Sequence, residues 1–138
     1  MVTKTKIIEI MNEWAPCDQA ESWDNVGLQL DTKRDVISVA VVLEINLDTF
    51  NIIQGRHYDF VVSHHPLIFN PLNQIGHDDW SHSVLRYFIE NDIGFYVSHT
   101  NLDRANDGVS YSLAQQYELN PASISDITQG YGKVFQFS

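Results

Sequence analysis

Four side chains in the sequence have the types and spacing that a metal site requires. His64 and His65 are adjacent, and His99 is followed four residues later by Asp103. Neutral imidazole nitrogens and carboxylate oxygens are common protein ligands of divalent transition metals. No H-E-x-x-H pattern or comparably diagnostic motif occurs, so the spacing leaves a second interpretation open. In that interpretation His64 and His65 are loop residues held by hydrogen bonds, and Asp103 is a turn residue.

A repeated segment suggests how the chain brings these side chains together. Residues 60–64 read FVVSH and residues 95–99 read FYVSH, and each histidine follows a predicted strand. Ligands of open parallel sheets bind at the carboxyl ends of the strands. If the two strands are neighbours, the histidines and Asp103 converge on one edge of the sheet. Successive residues of an extended strand point in opposite directions, so His64 and His65 are expected to diverge and to serve two different metals.

The strands that carry these motifs belong to an alternating pattern. Residues 36–43 (VISVAVVL) are almost entirely apolar and rich in β-branched side chains, which predicts a strand covered on both faces. Further strands are predicted at 59–63 and 93–98, and one in the tail within 124–137. With helices between them, this order predicts an α/β fold with a mostly parallel sheet and helices on both faces.

Four helices are predicted from apolar spacing and from residues that cap helix ends. The first spans about residues 3–14, Asn46 caps the second, and Ser81 or Ser83 caps the third. Asp107 caps the fourth, whose inward face is predicted to consist of Val109, Leu113 and Tyr117.

Other reactive side chains have weaker patterns around them. His77 and His82 flank two aspartates in GHDDWSH, a segment more typical of a solvated loop that leads into a capped helix. Glu21 and Asp24 are candidates for an acid, a base or a group that orients metal ligands, or they order the acidic loop in which they lie. Cys17 is the only cysteine, which excludes an internal disulfide and a cysteine-rich zinc site.

The composition is that of a folded, acidic protein. The 138 residues are 43% hydrophobic and carry a formal charge of -10, which argues against disorder and against a basic surface for nucleic acid or anionic lipid. No apolar run approaches the roughly 18 residues of a membrane span, and no P-loop, G-x-G-x-x-G or G-x-S-x-G motif occurs. We therefore expect one soluble, cytoplasmic α/β domain over residues 1–138, without a nucleic-acid or membrane partner.

Three segments resemble signature motifs of one protein family. They are ESWDNVGLQL at 21–30, VSHHPLIF at 62–69 and SHTNLDRANDGV at 98–109. In order and spacing they are similar to the YbgI-like dinuclear metal proteins. These are also called NGG-interacting-factor-like proteins and often have the label GTP cyclohydrolase type 2 homolog. The resemblance covers nearly the whole chain and implies the YbgI-like α/β fold.

The resemblance also implies a site for up to two divalent metal ions of unspecified identity. It assigns His64, His65 and Asp103 as metal ligands and places His99 beside them as a residue that orients the site. Glu21 is a more distant candidate for such an orienting group or for a base, and no catalytic residue is assigned.

The chain departs from the family pattern in its length and at two positions. Relatives are usually at least twice as long and supply a further histidine and glutamate from their second half. This chain has no histidine after His99. It is therefore expected to be a fragment, a natural half completed by another chain, or a stand-alone domain with a weakened site, and the helical start after Met1 favours an authentic amino terminus. Arg104 replaces a small residue and is expected to add positive charge near the metal, and Glu44 stands where aspartate is usual.

Two classes of function follow. The first is a metal-dependent hydrolase of a nucleotide-like substrate, in which two metals polarise substrate oxygens and activate water. The alternative is a non-catalytic metal-binding or protein-interaction module with an incomplete site. The resemblance further implies a homo-oligomer, in which a second chain is able to complete the site.

Overall fold

The chain alternates helices and strands in the computed structural model, which describes residues 2–118, 125–127 and 130–134. The first helix, α1 (Lys4–Trp14), begins close to its predicted start because the Thr3 side chain accepts a hydrogen bond from the backbone N–H of Lys6. A 3-10 turn (Cys17–Gln19) follows. The remaining elements are β1 (Gly27–Leu30), β2 (Val39–Val42), α2 (Leu47–Arg56), β3 (Phe60–Ser63), α3 (Trp80–Glu90), β4 (Gly94–Val97), α4 (Thr100–Arg104), α5 (Val109–Gln116), β5 (Ser125–Ile127) and β6 (Gly132–Val134).

Four strands form the central sheet in the order β1-β4-β3-β2. β2, β3 and β4 are parallel to one another, and β1 is antiparallel to β4. A second, two-stranded sheet pairs β5 with β6. The predicted α/β fold with a mostly parallel sheet is therefore confirmed. The two strands that end in the Val-Ser-His motif are neighbours, with Ser63 opposite Val97, so the residues that follow them share one edge of the sheet.

Helices pack on both faces of this sheet, and the side chains of β3 and β4 alternate between two apolar clusters. One cluster joins the sheet to α2 and α3, and its members include Val61, Phe95, Ile53, Val84 and Phe88. The other joins the sheet to α1 through Phe60, Val62, Tyr96 and Met11. All residues of β3 and β4 are buried, which is typical of parallel strands covered on both faces. This burial fixes the position of the residues that follow the two strands.

Strand β2 is shorter and more exposed than its sequence predicts. The strand predicted at 36–43 is reduced to Val39–Val42, and Val36 instead forms an isolated bridge with Val2. β2 lies at the edge of the sheet, and Val41 is 79% exposed. The prediction of a strand covered on both faces is therefore wrong for β2, because apolar composition does not distinguish an edge strand from a central one.

The cap of α2 is the predicted one, and the cap of α3 is not. Asn46 caps α2 as predicted, because its side-chain oxygen accepts the backbone N–H of Thr49 at 3.0 Å. α3 begins after Asp79, whose carboxylate accepts the backbone N–H of Ser81 at 2.8 Å. The predicted caps Ser81 and Ser83 lie inside the helix, because the aspartate that precedes them takes the capping position.

Two helices stand where one was predicted after β4. Residues 100–104 form α4, which is too short for apolar periodicity to reveal. Gly108 caps α5, whereas the predicted cap Asp107 accepts a hydrogen bond from Trp14 Nε1 at 2.8 Å. The predicted inward face of α5 is wrong, since Ala114 is its buried residue and the expected members are exposed: Val109, Leu113 and Tyr117.

The tail contains the two strands of the second sheet. The tail strand predicted within 124–137 corresponds in part to β5 and β6, and residues 124, 128–129 and 135–137 of that prediction lie outside the described residues. Among the helices that the structure describes, none is long and apolar enough to cross a membrane.

Candidate metal centre

The carboxyl edge of the sheet brings three histidines together. His64 and His65 follow β3, and His99 lies between β4 and α4. One ring nitrogen from each histidine lies within 4.8 Å of a ring nitrogen of both others. The ring centroids are 5.2 to 5.7 Å apart. We call these three residues the histidine cluster.

The adjacent histidines turn toward the same cluster, so the expectation that their side chains diverge is wrong. β3 ends at Ser63, and the Ser63 hydroxyl donates a hydrogen bond to the carbonyl oxygen of His65 at 2.8 Å. The backbone bends at both histidines, so the alternation of an extended strand no longer applies to them. Their ring centroids lie 5.2 Å apart as a result.

Each imidazole of the cluster has an oxygen partner for its Nδ1 atom. His64 Nδ1 lies 2.9 Å from the Ser98 carbonyl oxygen, which can only accept, so this nitrogen carries the proton. The other two rings have carboxylate partners at 3.3 and 3.0 Å, namely Glu44 for His65 and Asp24 for His99. In the neutral tautomer that these bonds select, the lone pair lies on Nε2. An oxygen acceptor on one nitrogen with the other free to ligate is the usual state of metal-binding histidines.

Asp24 is the most deeply buried charged group of this site. Its side chain is fully buried, and Oδ2 accepts hydrogen bonds from the backbone N–H and the hydroxyl of Thr100. Burial by itself raises the pKa of the Asp24 carboxyl, but the hydrogen bonds from His99 and Thr100 outweigh burial and lower that pKa below its usual value. Asp24 is therefore an ionised acceptor that fixes the orientation of the His99 ring.

Two further carboxylates border the cluster. Asp103, on α4, has its Oδ1 atom 3.5 Å from His64 Nε2. Glu44 follows β2, and the hydrogen bond from His65 lowers the pKa of its exposed carboxyl. Three carboxylates thus surround three imidazoles, and the resulting negative potential favours a bound cation.

Four of the five residues selected from the sequence lie at this edge, and the side chain of the fifth, Glu21, points to a neighbouring group. Glu21 accepts a hydrogen bond from the Tyr131 hydroxyl at 2.6 Å and lies 3.8 Å from Arg104 Nη1. Arg104 also donates to the Gln19 carbonyl oxygen at 3.1 Å, and its guanidinium carbon lies 5.5 Å from the centroid of the Tyr131 ring. The side-chain contacts of Glu21 and Arg104 are therefore with this neighbouring group, whereas the Glu21 backbone N–H donates to Thr100 Oγ1 at 3.0 Å, next to Asp24. The four residues at the edge are His64, His65, His99 and Asp103.

Sequence reasoning left the partners of two imidazoles unassigned. In the sequence Asp24 is one of several candidates in its loop, and Glu44 stands out only as a departure from the family. Ligands of parallel sheets bind at the carboxyl ends of the strands. Glu44 follows the third parallel strand, β2, so this rule also predicts Glu44 as a residue of the site. Among the described residues, a single group of three or more potential metal ligands occurs, and His77 and His82 do not belong to it.

The donor set fits a divalent metal ion. Three imidazole nitrogens and a nearby carboxylate are ligands that zinc, manganese, iron and nickel accept. Two nitrogens bound to one ion at about 2.1 Å are at most about 4.2 Å apart. One nitrogen of each imidazole lies within 4.8 Å of one nitrogen of both others, a separation only slightly larger than this limit.

Comparisons with known proteins agree with the motifs and the fold. The model of the family described as Duf34/NIF3 (NGG1p interacting factor 3) matches residues 2–138. A Staphylococcus epidermidis protein named GTP cyclohydrolase 1 type 2 homolog is 34% identical over 92% of this chain and 35% of its own length. A Methanocaldococcus jannaschii protein of the same name is 33% identical over 94% of this chain and 52% of its own length. The structure of reduced HcgD from that organism superposes with a TM-score of 0.82 and 29% identity, covering 97% of this chain and 54% of that one.

The chain matches only part of each of these relatives. The chain spans between 35% and 54% of the length of these relatives, so their names describe longer proteins. The family match, in contrast, extends over nearly all of this chain. The chain therefore belongs to the Duf34/NIF3 family.

Proposed function

We propose that this chain binds divalent metal at the histidine cluster and takes part in hydrolysis of a nucleotide-like substrate there. The observation that supports metal binding best is the orientation of the three imidazoles. Each Nδ1 faces an oxygen acceptor, which leaves the Nε2 lone pair of each ring for a metal. The name of the longer relatives, GTP cyclohydrolase 1 type 2 homolog, supports a nucleotide-like substrate.

In this proposal His64, His65 and Asp103 hold up to two metal ions. His99 is a further ligand, because its ring lies about as close to the other two imidazoles as they lie to each other. Bound dications supply Lewis-acid polarisation of substrate oxygens and activation of water. Asp24 holds the His99 ring, and the Ser98 carbonyl oxygen does the same for the His64 ring.

The charge of the site makes substrate binding depend on metal. The three carboxylates around the cluster, in a chain of formal charge -10, repel a phosphate group. Positive charge from bound dications reverses this repulsion. We therefore expect the affinity for the phosphate part of a nucleotide to be lost when a chelator removes the metal.

The experiment that tests metal binding is calorimetric titration of chelator-free protein with Mn²⁺ and Zn²⁺. His64→Ala and Asp103→Ala should each remove most of the affinity, whereas His77→Ala and His82→Ala should leave it nearly unchanged. Binding no tighter than that of a surface histidine would contradict the proposal, as would loss of affinity only in the two control variants. Nucleotide turnover that requires metal and disappears in His64→Ala would support the hydrolase.

A second candidate function, a non-catalytic metal-binding or interaction module, is favoured by the exposed edge of the sheet. Three apolar residues in and beside β2 are between 63% and 79% exposed, namely Ile37, Val41 and Leu43. An apolar groove extends from this edge to His64 and is lined by residues that include Met11, Val62 and Leu102. An exposed edge strand with apolar side chains is a template for another polypeptide. We propose that a second copy packs here and is able to complete the site.

Solution mass tests the proposed self-association, and turnover separates the two candidate functions. Sedimentation should show a dimer or higher oligomer for the native chain and a smaller species for Val41→Lys, while Leu113→Lys, at an exposed position of α5, should keep the native mass. A monomeric native chain would contradict self-association. Metal binding without turnover of nucleotides or phosphoesters would favour the module over the hydrolase.

A further inference from the structure

The loops beside the histidine cluster carry two exposed aromatic side chains, Trp23 and Phe69. Trp23 is 59% exposed and Phe69 is 45% exposed. Their ring centroids are 6.0 Å apart, and their planes are inclined by 58°. Neither ring belongs to the apolar clusters that join the sheet to its helices. Single exposed aromatic residues are common, but two exposed rings in contact with each other beside a candidate site form an apolar surface that a ligand can cover.

Both aromatic residues are close in the chain to residues of the metal site. Trp23 precedes Asp24, whose carboxylate lies 3.0 Å from His99 Nδ1. Phe69 lies four residues after His65 in the loop that leaves β3. Consecutive Cα atoms are about 3.8 Å apart, so the backbone of Trp23 lies at the border of the cluster.

Hydrogen bonds join the loop after β3 to Asn25 and to Gln29 of β1, next to both aromatic residues. The backbone N–H of Ile68 donates to Gln29 Oε1 at 3.0 Å. The carbonyl oxygen of Ile68 accepts from Gln29 Nε2 at 2.8 Å and from Asn25 Nδ2 at 2.6 Å. Asn25 lies two residues after Trp23, and Ile68 directly precedes Phe69. These bonds fix the backbone beside both rings, which lowers the entropy cost of binding a ligand on them.

The geometry of the pair selects the kind of ligand. Exposed tryptophan rings stack on flat heteroaromatic rings, and such stacking depends little on ring substituents. A ring inserted between two parallel aromatic faces needs about 7 Å between them, twice a carbon contact distance. Because the two centroids are 6.0 Å apart and the planes are inclined, a ligand ring stacks on the open face of Trp23 with Phe69 at its edge.

We propose that Trp23 and Phe69 form a stacking site for the heterocyclic base of a nucleotide whose phosphate oxygens reach the histidine cluster. The link to the cluster rests on the proposed function, whereas the stacking contact itself requires no metal. The site separates recognition into two parts, with the base held by aromatic contact and the phosphate by bound dications.

The test compares two ligands that differ only by a base. Calorimetry with Mn²⁺-loaded protein should show GMP binding at least about fivefold more tightly than ribose 5-phosphate. Trp23→Ala should abolish this difference without changing the affinity for ribose 5-phosphate or Mn²⁺, and Phe69→Ala should reduce it. Trp80→Ala is the matched control, because Trp80 is 41% exposed and contacts Phe50 instead. It should bind GMP as the native protein does.

A metal-free arm separates this proposal from the proposed function. Guanosine should quench tryptophan fluorescence without metal, and Trp23→Ala should remove that quenching. If Mn²⁺ does not bind but this quenching is present, the metal proposal fails and the stacking site stands. Absence of Trp23-dependent quenching, equal affinity for GMP and ribose 5-phosphate, or loss of Mn²⁺ affinity in Trp23→Ala would each overturn the stacking site. Loss of Mn²⁺ affinity in Trp23→Ala would mean that Trp23 positions Asp24.

Discussion

Asp24 Oδ1 lies 3.0 Å from His99 Nδ1, although 75 positions separate the two residues in the sequence. The antiparallel pairing of β1 with β4 accounts for this contact. Gly27, at the start of β1, stands opposite Val97, at the end of β4. The loop before β1 therefore lies beside the residues that follow β4. This strand pairing therefore places the buried Asp24 carboxylate next to His99.

Asp24→Asn tests this contact with little change in side-chain volume. The amide lacks the charge that strengthens the hydrogen bond with His99, and it replaces a carboxylate acceptor of Thr100. We expect Mn²⁺ affinity to fall by about 10-fold or more, as for other residues that orient metal ligands. Asp18→Asn, at an exposed position of the neighbouring 3-10 turn, should have no effect. Calorimetry measures both variants, and unchanged affinity in Asp24→Asn would show that this carboxylate does not act on the metal site.

Metal affinity should depend on pH because protons and metal compete for the same imidazole nitrogens. We expect the dissociation constant for Mn²⁺ to rise steadily as pH is lowered from about 7.5 to 5.5. The pKa of Asp24 is lowered, so this carboxylate stays charged over the whole range and does not contribute to the change. Titrations at three pH values in chelator-free buffer measure the effect. A constant affinity would be inconsistent with histidine ligands.

Strands β3 and β4 could be predicted because their own residues are sufficient to indicate a buried strand. β3 and β4 are short, apolar and buried on both faces, and each is followed directly by a histidine. Their adjacency then places His64 and His99 on one edge. The orientation of His65 was not accessible in the same way, because it depends on the bend that follows Ser63.

The contact between Asp24 and His99 could not be predicted from the residues around Asp24. It depends on the pairing of β1 with β4, and β1 is a four-residue strand with a register shift between Leu28 and Leu30. The exposure of β2 likewise depends on its place at the edge of the sheet. Long-range pairing decides both features, and an apolar run or a short GLQL segment carries no information about its partner.

Arg104→Ala tests whether the guanidinium acts on the metal site. Arg104 contacts Gln19, Glu21 and Tyr131, so we expect Mn²⁺ affinity to change less than about twofold. The free energy of unfolding should fall by roughly 0.5–1 kcal/mol because one ion pair and one cation–π contact are lost. Calorimetry and denaturant unfolding measure the two effects. Clearly tighter Mn²⁺ binding would instead show that the positive charge opposes the metal.

The two serines of the repeated Val-Ser-His motif should respond differently to removal of their hydroxyls. Both are buried, but Ser63 Oγ donates to the His65 carbonyl oxygen, whereas Ser98 Oγ has no hydrogen-bond partner within the described residues. Ser63→Ala should lower the free energy of unfolding by about 1 kcal/mol and weaken Mn²⁺ binding through His65. Ser98→Ala should be neutral or slightly stabilising. Equal destabilisation of both variants in denaturant unfolding would contradict this assignment.

Asp59 makes the free energy of unfolding depend on pH in the acidic range. Its Oδ2 atom accepts hydrogen bonds from the backbone N–H groups of Ile37 and Ser38 at 3.0 and 2.9 Å and from the Ser38 hydroxyl. Burial raises the pKa of the Asp59 carboxyl, but these hydrogen bonds outweigh burial and lower it. A lowered pKa in the folded state gives stability that is present at neutral pH and lost as pH falls from about 5 toward that pKa. Asp59→Asn should cost about 1–2 kcal/mol at pH 7 and flatten the acid limb of the stability profile, while Asp35→Asn, at an exposed position, should preserve it. Parallel acid limbs for native and Asp59→Asn proteins would mean that other carboxylates control acid unfolding.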